Sequence, residues 1–87
     1  MNNDSRKRLS DLQAKITGVR SDIEDMIAEA TELAEDEAEK FQNMSEGLQA
    51  SEKGQAIEQA SLALDELKEL LESADGSLEE ASQVSAE

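Results

Sequence analysis

The chain has no cysteine, proline, histidine, tryptophan or tyrosine, and Phe41 is its single aromatic residue. Without cysteine there is neither a disulfide nor a thiolate metal site, and without histidine the commonest general base and metal ligand is missing too. The reagents of most enzymes are therefore absent, and no catalytic residue, metal ligand or cofactor is expected. No apolar run approaches the ~20 residues that span a bilayer, and no signal-peptide core follows the charged start, so no membrane contact and a cytoplasmic location are expected. The lack of proline has the opposite value. It leaves nothing to interrupt long helices, which the abundant Ala, Glu, Leu, Gln, Lys and Ser favour.

With 87 residues there is room for one domain, and a chain of this size buries only about 60% of its unfolded surface. What organises it is a rhythm. Ile57, Ala60, Leu64, Leu67, Leu71, Ala74, Leu78 and Ala81 recur at alternating spacings of three and four, the mark of a coiled-coil seam. Leu9, Leu12, Ile16, Val19, Ile23, Met26, Ala30 and Leu33 repeat it upstream. Low hydrophobicity with a net charge of −14 would also suit a disordered chain, but a disordered chain does not keep sixteen seam positions in register.

Taken in order, Asp4 or Ser5 is the expected N-cap of a first helix spanning about 5–42. Arg6, Lys7, Arg8, Lys15 and Arg20 make the first twenty residues net positive, whereas the remainder is strongly negative. Such a start could grip an acidic partner or RNA; solvation or pairing with acids of a neighbouring helix is the plainer reading. With Leu9 as heptad column a, columns a and d stay apolar to Leu33, after which Glu37 falls at a. Ile27, Ala34 and Phe41 at column e, and Ala63, Leu70 and Val84 at column g of the later helix, widen the stripes beyond the need of a two-stranded coil. Residues 43–51 break both heptads and form the turn, where Asn43 or Gly47 is expected in the left-handed conformation and Ser51 is a suitable cap for a second helix over about 52–84. Gly76 lies at the outward column f and is tolerated.

Folded back on itself, the chain pairs column a of one helix with column d of the other: Ile16 with Ala81, Val19 with Leu78, Ile23 with Ala74, Met26 with Leu71, Ala30 with Leu67 and Leu33 with Leu64. The expected fold is all-α, an antiparallel helical hairpin of coiled-coil type. One hairpin has no true interior, so two should associate as a homodimer in an elongated four-helix bundle.

The 22 carboxylates need burial or a fixed neighbour to do acid–base work, and a solvated helix face offers neither. Asp65 with Glu66 and Glu69, or Asp36 with Glu37, could loosely hold Ca²⁺ or Mg²⁺, but the loop spacing of a dedicated calcium site is missing. Direct nucleic-acid binding is disfavoured by repulsion. A dimer, however, would lay 28 net negative charges along a rod whose first helix is roughly 57 Å long, about one per 2 Å, against one per ~1.7 Å in duplex DNA. Glu29, Glu32, Glu35, Asp36 and Glu39 form the candidate acidic face for a basic protein groove; plain solvation explains the same charges. At the turn, Phe41, Asn43, Met44 and Leu48 are candidates either for a partner-binding knob or for a cap on the bundle.

The stretch Phe41-Gln42-Asn43-Met44-Ser45-Glu46-Gly47-Leu48-Gln49-Ala50-Ser51-Glu52-Lys53-Gly54, followed by Leu/Ala heptads, resembles a widespread family of small acidic phage and prophage proteins. Members read Phe-x-Asn-Met-Pro-Glu-x-Leu-Gln-x-Ser-Glu-x-Gly, and Ser45 stands here where the family has proline, so a less rigid turn is expected. The resemblance implies a helical hairpin of phage origin in a bacterial host cytoplasm. By analogy it implies a non-enzymatic inhibitor of a host nucleic-acid-handling or defence protein; the alternative is a structural assembly module.

Overall fold

The computed structural model of the chain describes residues 1–85. Helix α1 spans Asn3–Gln42, a single turn of helix α2 spans Glu46–Gln49, and helix α3 spans Glu52–Ser82. The long helices lie antiparallel in a rod of 68 × 15 × 14 Å.

Local chemistry explains each boundary. The α1 start is set by Asn2, ahead of the expected Asp4 or Ser5, because the Asn2 carboxamide oxygen accepts from the Ser5 amide at 2.8 Å. Neither Asn43 nor Gly47 takes the left-handed conformation; Asn43 stays right-handed at φ −81°, and among the described residues no φ is positive. The chain instead turns through α2, capped by Ser45, whose hydroxyl accepts from the Leu48 amide at 3.3 Å. A helical turn between two caps satisfies the free backbone groups that a left-handed residue would otherwise resolve. Ser51 then caps α3, accepting from the Gly54 amide at 3.2 Å while donating to the Leu48 carbonyl. Gly76 lies inside α3 without interrupting it.

The seam differs from the expected one. The three buried apolar residues are Ile23, Ala30 and Ala34, from columns a and e. Half-buried residues continue both columns, with Leu9 and Ile16 at a and Gln13, Arg20, Ile27 and Phe41 at e. In α3 the inward residues are Ile57, Leu64, Leu71 and Leu78 together with Gly54, Ser61, Lys68, Asp75 and Ser82. The d column faces out: Leu12, Val19, Met26, Leu33 and Leu67 are 45–57% exposed.

A stripe of three columns is too wide for one neighbouring helix, so two columns are covered and the third is left. Column e is favoured because its polar members find partners across the seam. Arg20 Nε donates to Asp75 at 2.9 Å, the Ser61 hydroxyl reaches the Ala34 carbonyl at 3.5 Å, and Gln13 donates to the carbonyls of Ala81 and Val84. The register moves with them. The expected pairing would have set Ser77 opposite Arg20, and Asp75 is there instead. Since Gln13 already meets the end of α3, the first turns of α1 overhang its C-terminus.

Candidate protein-binding surfaces

Three surfaces emerge from this geometry, one apolar, one acidic and one at the turn. The apolar surface follows from the rotated seam. With columns a and e turned inward on antiparallel helices, both d columns emerge on the same side of the hairpin. Met26 and Leu33 of α1 and Leu67 of α3 line one open groove floored by Ala30 and Leu71, with Glu29 on its rim. Towards the N-terminus the same face of α1 carries Leu12 between Arg8 and Lys15. Leu70, at column g, is 62% exposed beside it. Sequence reasoning placed Leu12, Val19, Met26, Leu33 and Leu67 inside the hairpin. The widened e column was the signal that one helix could not cover the whole stripe.

Glu29, Glu32, Glu35, Asp36 and Glu39 are all exposed. They occupy columns c, f and g, which are neighbours around a helix, so they lie on the part of α1 outside the buried seam. They are not one site, however. Glu29 borders the apolar groove, Glu35 lies beside Thr31, Ala38, Ser61 and Lys68, and Asp36 and Glu39 lie with Lys40 and Asn43. Glu37, the acid at column a, is half-buried and pairs with Lys40 at 2.9 Å, whose ammonium pKa is raised chiefly by that hydrogen bond.

At the turn, Phe41 and Met44 are half-buried whereas Asn43 and Leu48 are exposed. The Phe41 carbonyl accepts from the Met44 amide and from the Gln49 side chain at 2.9 Å, and Gln55 donates to the Gln49 carbonyl at 3.1 Å. The turn is thus tied to both long helices. Gly54 completes it, since a Cβ there would collide with the Leu48 carbonyl and lie 2.6 Å from that of Gln49.

Among the described residues no three potential ligands gather to hold a metal ion, and no helix is long and apolar enough to cross a membrane. No family model, curated protein or solved structure matches the chain.

Proposed function

We propose that the protein is a non-enzymatic acidic binding module: two hairpins associate through their d faces into an elongated four-helix bundle, and the charged exterior occupies the basic surface of another protein. The observation that carries this reading is the rod itself. Over a length of 68 Å, paired hairpins would display twice the net charge of −14, about one charge per 2.4 Å, close to the ~1.7 Å of duplex DNA. A field of that density accelerates encounter with a Lys/Arg-lined groove. The resemblance of residues 41–54 to small acidic phage proteins supports a host nucleic-acid-handling or defence protein as the target. Leu48, exposed at the tip beside Asn43, would add the local apolar contact that charge alone lacks, with Phe41 and Met44 holding the tip in shape.

The test is capture of partners from host lysate at low and high salt, using the native chain and the triple variant Glu32→Gln, Glu35→Gln, Glu39→Gln. These three sites lie off the d face, so self-association should survive. A partner lost both in high salt and in the variant supports the reading; recovery of the protein alone at either salt would remove it. The exposed d face favours a second reading, in which the hairpin is an assembly module and its contacts are apolar and insensitive to salt.

A further inference from the structure

The d face is flanked by charges whose order along α1 is not random. Column g adjoins column d on the side away from α3, and reads Arg8, Lys15, Asp22, Glu29 and Asp36. Two cations are followed by three anions. Among the described residues, Arg8, Lys15, Glu29 and Asp36 make no ion pair within the hairpin. Arg8 and Lys15 share an open face with Leu12, and Glu29 shares another with Met26 and Leu33.

We propose that two copies pack d face to d face with their α1 helices antiparallel and crossing near Asp22, so that Arg8 and Lys15 of each copy pair with Asp36 and Glu29 of the other. The inference rests on the pairing of hairpins proposed above and adds its orientation. Two centres half a residue apart serve every position. Leu12 with Leu33, and Val19 with Met26, are equidistant from a point between Asp22 and Ile23; Arg8 with Asp36, and Lys15 with Glu29, are equidistant from Asp22. An antiparallel overlay therefore brings apolar residues and opposite charges together in the same register, and its twofold symmetry makes each contact twice. The parallel overlay sets each of Arg8, Lys15, Asp22, Glu29 and Asp36 on its own copy, five like-charge contacts beside a desolvated stripe. Packing α1 against α3 of the second copy loses the complementarity as well, because column g of α3 is Ala63, Leu70, Ser77 and Val84.

The area suffices. Fully burying a Leu-sized side chain removes on the order of 100 Å² of apolar surface. Six side chains about half exposed, with the alanines and charged stems beside them, let two copies bury roughly 1,000 Å², the lower end for specific interfaces. In this packing the overhanging basic turns of α1 would lie along the acidic end of the second copy. Asp22 would meet its own copy at the centre, the one like-charge contact of the arrangement.

The chain has no cysteine, so single thiols report orientation cleanly. On air oxidation Asp22→Cys should cross-link to itself, whereas Arg8→Cys should not, yet should cross-link to Asp36→Cys when the two are mixed. The double variant Arg8→Glu, Lys15→Glu should dissociate at least tenfold more readily by sedimentation equilibrium, with hairpin helicity retained. Adding Glu29→Lys and Asp36→Lys to the same chain should restore association. A dimer in which Arg8→Cys cross-links to itself, or whose stability ignores the charge swap, overturns the orientation and leaves pairing intact. A monomer at high micromolar concentration overturns both.

Discussion

Gly54 is buried at the joint between α2 and α3, where the carbonyls of Leu48 and Gln49 approach so closely that no side chain fits. Relief would require backbone to move, a cost of about 1–3 kcal/mol that should exceed the ~1 kcal/mol gained from helix propensity, so Gly54→Ala should lower the melting temperature of the hairpin. An unchanged melt would show that the joint relaxes freely. Asp75 acts electrostatically. Arg20 holds its carboxyl below the ordinary value of 3.8, chiefly through the side-chain hydrogen bond, with desolvation opposing. A carboxyl whose folded pKa lies below its unfolded value adds stability at pH above the unfolded value and loses it as pH falls through the folded one. The difference in melting temperature between native protein and Asp75→Asn should therefore be present at pH 7 and vanish in strong acid; a difference constant with pH would assign Asp75 a packing role alone. Neither residue was legible beforehand. Gly54 stood out only as part of a turn motif, and its need for glycine comes from a close approach between α2 and α3 that composition does not reveal. Asp75 was one of 22 carboxylates and Arg20 one of five basic residues near the start, because the register that joins them is set by the rotated seam.

At the scale of elements, the two long helices, the hairpin and the Ser51 cap were readable from the sequence, since heptad spacing and capping chemistry are local, whereas the single helical turn α2 was not. Which columns face inward was not, because three apolar columns admit two choices and the decision lies with cross-helix bonds such as Gln13 to Ala81 and Val84. The difference changes what mutations do. In the expected seam Leu67→Asp would place a charge in the centre of the fold. In the observed one Leu67 is half exposed on the hairpin, so Leu67→Asp should leave helicity largely unchanged and abolish association. Ile23→Asp should unfold the chain, because Ile23 is 7% exposed and an unpaired buried charge costs several kcal/mol against a small total stability. Circular dichroism with sedimentation on both variants separates the seams; equal unfolding by the two would favour the original one. Ser45 carries a related point. Its φ of −64° is the angle a proline ring imposes, so this backbone would accept proline, but only at the loss of the serine hydroxyl that caps α2.

For the whole molecule, a net charge of −14 spread along a thin rod is a destabilising self-repulsion that surface ion pairs such as Lys40–Glu37 and Lys68–Glu72 do little to offset. Screening length falls from ~30 Å at 0.01 M to ~3 Å at 1 M salt, so the melting temperature should rise by several degrees over that range. A fall would mean that attractive pairs, not repulsion, dominate the electrostatics.

The contacts between α1 and α3 are nested about the turn, and this sets an order of assembly. Ser61 and Ala34 are 27 residues apart in sequence, whereas Gln13 and Val84 are 71 apart. Closing the shorter loop costs less chain entropy, and each contact made shortens the loop left for the next. The hairpin should thus close like a zipper from α2 outward and open from the far end. Amide hydrogen exchange would record this as a gradient, slowest around Ala30 to Ala34 and fastest in the basic overhang, so the part of α1 richest in positive charge is also the last to be held by its own chain.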